Sequence, residues 1–300
     1  MRVAITGSRG LVGSALIPFL TTGEHQVVRL VRGRVERSGD VPWDPVRGLA
    51  DPSACEGLDA VVHLAGESIA AGRWTPARKA EIRRSRAEGT RHLCQDLLRL
   101  ARPPRVLVSA SAVGFYGDRG DEVLCEESGA GSGFLAEVCR EWEAAAEAAA
   151  EAGIRVVQLR FGMILSPAGG ALRKMLLPFR LGLGGRIGTG TQWMTWIALD
   201  DAIGAVYHAL RTDALRGPVN VVAPAPATNA EFTRVLARVL RRPALLPLPA
   251  FAARIAFGEM ADELLLASAR ALPTRLQETG YRFRLPDLEG ALRYLLGRGQ

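Results

Sequence analysis

The chain has 300 residues, of which 48% are hydrophobic and 23% charged, as is ordinary for a globular protein of one or two domains. Its 38 Lys and Arg residues exceed its 31 Asp and Glu residues by seven, and acids are interspersed with the bases. Because there is no basic run with interleaved aromatic residues, we expect no nucleic-acid partner; a pocket for an anionic ligand would also account for the charge. No apolar stretch approaches the ~18 residues that span a bilayer, so we expect no membrane partner.

Cysteine and histidine residues are scattered and form no cluster with metal-ligand spacing. We therefore expect no metal site and no disulfide framework, and reduced thiols are typical of a cytoplasmic protein. His63 lies in an apolar run, which favours a core residue over a ligand. The cysteines are Cys55, Cys94, Cys125 and Cys139.

The first half of the chain alternates short apolar runs with a helical pattern at 11–20. Near-continuous apolar runs indicate strands that are covered on both faces, and strand–helix alternation indicates a parallel sheet. The sequence therefore predicts an α/β fold with a doubly wound, mostly parallel sheet of the Rossmann type. The predicted strands span residues 2–6, 27–31, 59–65, 105–109 and 154–159.

Two long helices are predicted between these strands. The first spans residues 76–101, with Pro76 in a favourable first-turn position. The second spans residues 134–152 and is rich in Ala and Glu. Glu143, Glu147 and Glu151 follow one another at four-residue spacing, which predicts a solvated face, and Gly153 ends the helix.

The pattern changes after residue 165. A helix is predicted at 200–210, a strand at 219–222, and a capping box at Thr228–Glu231 that opens a helix to Leu240. We expect a main domain at 1–165, to which residues 199–222 return. Residues 166–198 and 223–300 would form a smaller, mostly helical substrate-side region.

A glycine pattern follows the first strand and opens the first helix. In that context glycines permit a tight turn, close approach of a pyrophosphate, and close helix–sheet packing. The helix N-terminus offers backbone N–H groups to the phosphates. The predicted dinucleotide-binding residues are Gly7, Ser8, Arg9, Gly10, Leu11, Val12 and Gly13.

The end of the second strand distinguishes the two nicotinamide cofactors. An NAD site places an acid there, about 20 residues after the glycines, to hold the ribose hydroxyls. This strand ends in Leu30-Val31-Arg32-Gly33-Arg34, with no acid. Arg32, with help from Arg9, could pair with a 2′-phosphate, so we favour NADP(H) over NAD(H).

The G-x-x-G-x-x-G spacing resembles that of the extended short-chain dehydrogenase/reductase superfamily. Segments 59–66, 109–117, 159–162 and 196–201 are similar to its later motifs. The resemblance implies a cofactor site that also includes Leu64, Ala65, Gly66, Arg86, Ser109 and Arg160. It implies a substrate contact at a Ser, best placed as Ser111.

A narrower resemblance covers nearly the whole chain. Segments 66–69, 72–75, 85–86 and 258–266 look like the atypical branch called "epimerase family protein", whose members are often labelled nucleoside-diphosphate-sugar epimerases. That branch implies NADP binding but no shared substrate. We therefore expect a small-molecule substrate, with an anionic compound as one candidate, and a monomer or homodimer.

The superfamily's catalytic Tyr and Lys are missing. The resemblance places the pair at Phe134 and Val138, or at Leu135 and Cys139 with a one-residue shift. Only a thiol among these could exchange a proton, and only weakly. Arg86 stands where the superfamily has an Asn.

Two functional hypotheses follow. In the first, an NADP-dependent oxidoreductase or epimerase-like enzyme has a rebuilt site, with Ser111, Tyr116 and Glu67 as candidate proton donors. Arg86 or Lys79 would supply positive charge. In the second, the protein binds NADP(H) without catalysis, as a sensor or scaffold. RNA binding through the basic charge is a weaker third hypothesis, because aromatic residues are not interleaved.

A glycine-rich segment at 182–190 lacks the ending of a P-loop and does not join a strand to a helix. We expect it to be a substrate-side loop in which Arg186 could contact an anionic group. Trp193 and Trp196 are expected to pack between the two regions.

Overall fold

A computed structural model describes residues 1–33, 35, 37 and 39–298. Its centre is an eight-stranded sheet in which every pair of neighbours is parallel except the last. In spatial order the strands are β12 (Gly217–Val221), β8 (Arg155–Phe161), β6 (Val106–Ala112), β5 (Ala60–His63), β1 (Arg2–Thr6), β2 (Gln26–Val31), β3 (Val41–Asp44) and β4 (Gly48–Leu49).

Helices cover both faces of this sheet. One core contains residues of α1 and α6 together with side chains of β1, β5, β6, β8 and β12. The opposite core contains residues of α2 and α4. The predicted doubly wound, mostly parallel fold is thereby confirmed. The helices are α1 (Leu11–Thr22), α2 (Pro76–Leu98), α3 (Phe134–Ala144), α4 (Glu147–Glu151) and α6 (Leu199–Arg211).

A third apolar cluster lies outside the sheet, among α5, α7 and α11, around Leu172, Phe179, Trp196, Phe232 and Leu292. Within the predicted substrate-side range, Leu276 of α10 instead packs into the first core. The proposed division of the chain therefore stays a prediction. The remaining helices are α5 (Gly170–Arg180), α7 (Asn229–Leu240), α8 (Ala250–Phe257), α9 (Glu259–Ala261), α10 (Thr274–Glu278) and α11 (Leu288–Leu295).

Three pairs of short strands lie outside the central sheet. They pair as β9 with β11, β10 with β13, and β7 with β14. Their ranges are β7 (Val123–Leu124), β9 (Met163–Leu165), β10 (Trp193–Met194), β11 (Trp196–Ala198), β13 (Ala227–Thr228) and β14 (Arg270–Ala271).

The predicted helix at 134–152 is broken in two. Between α3 and α4 the Ala146 N–H bonds the Glu143 carbonyl three residues back, which tightens the turn. The Glu143 carbonyl also accepts a hydrogen bond from Gln158 of β8 (3.1 Å). Burial of Ala145, Ala146 and Ala149 then directs α4 against the sheet.

The predicted capping box at the start of α7 is confirmed.

The N-terminus of α3 is capped by a carboxylate from far along the chain. Glu263 accepts hydrogen bonds from the backbone N–H groups of Phe134 (2.9 Å) and Leu135 (3.1 Å). Gly133, at φ +104°, leaves room for it, because a Cβ there would stand 2.3 Å from the carboxylate. The segment after α9 thus fixes the start of α3.

This contact predicts a measurable cost when the charge is removed. Glu263→Gln should lower the free energy of unfolding by about 1 kcal/mol, because the helix loses a charged cap with two hydrogen bonds. Glu259→Gln should change it by less than about 0.5 kcal/mol, because the ion pair of Glu259 with Lys79 is exposed. Urea unfolding measures both; equal effects would contradict this assignment.

Thr6 and His63 join the ends of β1 and β5. The Thr6 hydroxyl accepts from the N–H groups of Leu64 (3.0 Å) and Ala65 (3.1 Å), so its proton goes to Nδ1 of His63 (2.8 Å). His63 is fully buried, and in the described part of the chain its Nε2 has no hydrogen-bond partner. Burial lowers the pKa of His63 to about 4. The expected core role of His63 agrees with this placement.

Acid should therefore destabilise the fold through His63. Between pH 6.5, the ordinary value, and pH 4 the unfolded chain binds a proton that the folded chain does not. Stability should fall across that window by about 3 kcal/mol. His63→Gln should remove this part of the pH dependence, whereas His92→Gln should keep it. Urea unfolding at a series of pH values tests this; identical profiles for wild type and His63→Gln would contradict it.

Candidate functional site

The turn between β1 and α1 passes very close to the end of β5. Gly7 has φ +66°, and a Cβ there would lie 2.7 Å from the backbone carbonyl of Leu64. A Cβ on Gly13 would lie 2.4 Å from the Gly7 carbonyl oxygen. Glycine is required at both positions because no side chain fits between these backbones.

The first turn of α1 is open toward this junction. Its N-cap, Gly10, provides no side-chain hydrogen bond, and no acid lies in the first turn. The first backbone N–H groups of a helix have no partner within the helix and carry a partial positive charge. An anionic group placed here would be held by N–H groups, as the motif predicts.

A cavity of about 450 Å³ lies beside this turn, at the carboxyl ends of β1, β2 and β5. The strand order reverses between β1 and β5, and such a point is where doubly wound sheets bind ligands. The lining includes residues that the sequence predicted for the site and others that it did not. It consists of Gly7, Ser8, Arg9, Gly10, Leu30, Val31, Arg32, Trp43, Pro45, Leu64, Ala65, Gly66, Glu67 and Ser85.

Arg32 and Glu67 form an ion pair across this cavity, with 2.8 Å between Nη1 and Oε1. Arg78 lies 3.6 Å from the other carboxylate oxygen. The hydrogen bond from Arg32, followed by the charges of Arg32, Arg78 and Arg86, lowers the pKa of Glu67. Glu67 is therefore ionised at neutral pH, where it could accept a proton but has none to donate.

Arg86 lies against Gly66, a residue of the cavity lining. A Cβ on Gly66 would be 3.3 Å from its guanidinium carbon, which also lies 5.1 Å from the Trp142 ring centre. Burial lowers its pKa, but a guanidinium remains protonated at neutral pH. Among the described residues it forms no ion pair, and its hydrogen bond runs to the Ile82 carbonyl (3.3 Å).

Ser111 is 2% exposed and belongs to a buried ionic network. Its hydroxyl donates to Oε1 of Glu143 (2.6 Å), and Arg160 holds the same carboxylate through Nε and Nη2, each at 2.8 Å. The predicted solvated face of α3 is therefore wrong at Glu143, whose side chain is only 12% exposed. Neutralisation by Arg160 makes that burial tolerable.

Tyr116 and Arg160 do not border the cavity. Tyr116 is fully buried, and its hydroxyl contacts Asn220 (2.8 Å), the Cys125 carbonyl (2.9 Å) and Arg160 (3.0 Å). Burial raises its pKa. Tyr116 is thus not placed as a proton donor, and the guanidinium of Arg160, engaged with Glu143, is not placed to hold a cofactor.

The positions that correspond to the missing Tyr and Lys are filled by buried side chains. Their side chains are buried, and burial raises the pKa of Cys139 to about 12, so its thiol is neutral. No proton-exchanging group replaces the pair there. These positions are Phe134, Leu135, Val138 and Cys139.

Other predicted residues lie elsewhere. Ser109 is buried in β6, three residues before the strand ends at Ala112. Lys79 pairs with Glu259 and lies over the Phe134 ring, beside a second cavity of about 490 Å³. Arg186 is exposed and bonds the Thr189 carbonyl. The helical residues Leu11 and Val12 follow the turn without lining the cavity.

Sequence reasoning missed Trp43, Pro45, Trp142, Glu143 and Asn220. Trp43 and Pro45 belong to a strand region too short to show a period. The one available signal for Glu143 was an acid on a helix whose neighbouring positions are apolar. No three or more metal-ligating side chains cluster anywhere in the described ranges, and none of the described helices combines the length and apolarity of a membrane span.

Comparisons with known proteins agree with this architecture. A model of the NAD dependent epimerase/dehydratase family matches residues 3–223, and one of a domain of unknown function (DUF1731) matches residues 248–295. The Mycobacterium bovis epimerase family protein Mb2239 is 45% identical over 296 residues, covering 99% of this chain and 98% of its own.

Two solved structures are similar along the whole chain. The human epimerase family protein SDR39U1 (isoform 2), crystallised with NADPH, has TM-score 0.89 and 35% identity, with 99% of both chains covered. The Corynebacterium glutamicum nucleoside-diphosphate sugar epimerase has TM-score 0.84 and 40% identity, covering 100% of this chain and 59% of that one. The chain therefore belongs to the NAD dependent epimerase/dehydratase family and, with it, to the short-chain dehydrogenase/reductase superfamily.

Proposed function

We propose that the protein binds NADP(H) in the cavity beside the glycine turn and uses it in a reaction on a small carbonyl or hydroxyl compound. The observation that carries the proposal is the turn itself, where Gly7 and Gly13 leave an open helix N-terminus facing the cavity. NADPH in the similar human structure supports the choice of nucleotide. A nicotinamide cofactor supplies or accepts hydride when bound.

The residues around the cavity fit the nucleotide from one end to the other. Trp43, Pro45 and Leu30 give an apolar wall near the end of β2, suited to a base. Arg32 lies at the same end and is 62% exposed, so its guanidinium could turn from Glu67 to a 2′-phosphate. The N-terminus of α1 would hold the pyrophosphate.

The chemistry assigned to this chain is charge stabilisation rather than a tyrosine proton relay. Arg86 would stabilise an anionic substrate group, or negative charge that develops on a carbonyl oxygen, because a buried cation is weakly screened. Ser111 would position the substrate: its proton is committed to Glu143, so its lone pairs remain to accept from a substrate hydroxyl. Glu67, as an ionised carboxylate, is kept as a candidate base.

One observation favours binding without catalysis as the second candidate. Phe134, Leu135, Val138 and Cys139 close the region where relatives would carry the Tyr and Lys. A protein with this site could still bind and release NADP(H), as a sensor or scaffold would. The two candidates share the nucleotide site and differ only in turnover.

The nucleotide preference should depend on Arg32. Arg32→Ala should weaken NADPH binding about tenfold to hundredfold, the range for a lost charged hydrogen bond, and leave NADH binding nearly unchanged. Glu67→Gln should strengthen NADPH binding several-fold, because a carboxylate beside the 2′-phosphate is removed. Fluorescence titration with NADPH, NADP, NADH and NAD measures these constants.

Two controls define this experiment. Arg91→Ala removes an exposed cation that does not line the cavity and should change nothing. Gly13→Ala should weaken all four nucleotides together, since a Cβ collides with the Gly7 carbonyl. Equal affinity of the wild type for NADPH and NADH would contradict the role of Arg32, and no binding at all would overturn the proposed cofactor.

Turnover distinguishes the two candidates. With a panel of small aldehydes, ketones and nucleotide sugars, Arg86→Gln should lower kcat about a hundredfold, as loss of one charge-stabilising donor does. Ser111→Ala should lower it about tenfold with NADPH affinity preserved, and Arg84→Gln, on the exposed side of α2, should have no effect. NADPH oxidation is followed by absorbance; tight nucleotide binding with no turnover across the panel would favour the sensor.

A further inference from the structure

The excess of positive over negative charge is concentrated in two segments. Residues 166–199 and 232–258 contain nine Lys and Arg residues and not one Asp or Glu. Without those nine, the chain has 29 Lys and Arg residues against 31 Asp and Glu residues. The whole net charge of +7 therefore comes from about a fifth of the sequence, and the even distribution expected from the sequence is wrong.

The two segments lie side by side in space. Residues 182–188 run along 244–248, with bridges between Leu183 and Ala244 and between Ile187 and Leu248. The N–H of Leu248 bonds the Arg186 carbonyl (2.8 Å), and the N–H of Gly188 bonds the Leu248 carbonyl (2.8 Å). Helix α5 leads into this pair of segments and α8 leaves it, so both helices belong to one surface.

Large apolar side chains are exposed on the same segments. Leu245 is 80% exposed, Ile255 71%, Leu177 67% and Phe251 66%, and Leu181, Leu183 and Leu246 are each more than half exposed. Phe251 and Ile255 are four residues apart on α8 and share one face of it. Scattered exposed apolar residues are ordinary, but seven on adjacent segments mark an interaction surface.

Cations are placed among these apolar residues. Arg180 lies between Leu177 and Leu181, and Arg241 and Arg242 precede Leu245. Within the described ranges none of these three arginines pairs with a carboxylate, and all three are exposed. Mixed Arg and large apolar residues on one face are what an anionic lipid surface attracts: the cations meet headgroups and the apolar side chains enter the interface.

We propose that this surface, formed by α5, residues 181–188, residues 241–249 and α8, binds peripherally to an anionic lipid membrane. The charge pattern disfavours a second copy of the chain, because a two-fold contact would bring the unpaired arginines of both copies together. Nucleic acid would use the cations but would leave the aliphatic side chains unburied. The proposal replaces the expectation of no membrane partner, which was based on the lack of a spanning stretch. It concerns surface contact and no spanning helix, and it is independent of the cofactor.

Vesicle co-sedimentation tests the proposal. The wild type should bind vesicles of equal parts phosphatidylglycerol and phosphatidylcholine, should not bind phosphatidylcholine alone, and should be released by added salt. Arg180→Gln with Arg241→Gln and Arg242→Gln should weaken binding about a hundredfold, at about fivefold per cation. Phe251→Ser with Ile255→Ser should weaken it at least about tenfold with all charges kept.

A matched control removes three exposed arginines from α2 and α3 instead. Arg84→Gln with Arg91→Gln and Arg140→Gln changes the net charge equally and should leave vesicle binding unchanged. Circular dichroism melting verifies that every variant is folded. Failure of the folded wild type to bind anionic vesicles would overturn the proposal.

Three further outcomes would also overturn it. Equal loss of vesicle binding in the matched control would show a net-charge effect without a specific surface. Dimerisation of the wild type that is lost in Phe251→Ser with Ile255→Ser, without vesicle binding, would assign the surface to a second copy. RNA binding that depends on the arginines of the surface but not on Phe251 and Ile255, again without vesicle binding, would assign it to nucleic acid.

Discussion

The candidate site depends on one close approach between backbones. The turn after β1 packs on the end of β5 with no space for a side chain at Gly7, and α1 packs on the turn with none at Gly13. This contact lies at the reversal of strand order, so it determines where the cavity opens and directs the N-terminus of α1 into it. Thr6 secures the same junction by holding the Leu64 and Ala65 N–H groups and His63.

A second constraint is the buried ion pair of Arg160 and Glu143. Removing one partner of such a pair typically costs about 3–5 kcal/mol, because the other charge is left desolvated. The pair also directs the Ser111 hydroxyl and bonds Tyr116, so two polar residues near the site are oriented by a structural network. Arg86, next to Gly66 of the cavity lining, forms no ion pair within the described residues.

The electrostatics differ between the sheet and the surface formed by α5, residues 181–188, residues 241–249 and α8. The sheet and its helices carry a near balance of charges, with Arg32 on the cavity beside the glycine turn. The basic and apolar surface adjoins instead the core formed by α5, α7 and α11. Glu263 connects the segment after α9 to the helices of the sheet by capping α3.

The sequence was sufficient to predict the features that depend on local pattern. The apolar runs predicted the parallel sheet, and the glycine spacing predicted the turn, since a positive φ and a close approach both require glycine. Arg32, which directly follows β2 and was predicted to select the nucleotide, lies in the cavity lining. Seven of the predicted cofactor residues besides Arg32 border that cavity: Gly7, Ser8, Arg9, Gly10, Leu64, Ala65 and Gly66.

Tertiary structure alone decided the polar pairings. Glu143 meets Arg160 across 17 residues, and Glu263 meets Phe134 across 129, because β8 and the segment after α9 come back to α3. Local periodicity assigned Glu143 to solvent. Periodicity shows which face of a helix is apolar, but it does not show that a charged residue of another element packs against the polar face. Likewise, the basic surface exists only because two segments far apart in sequence pair side by side. Sequence patterns determine backbone conformation and burial, and topology determines which buried or exposed charges meet.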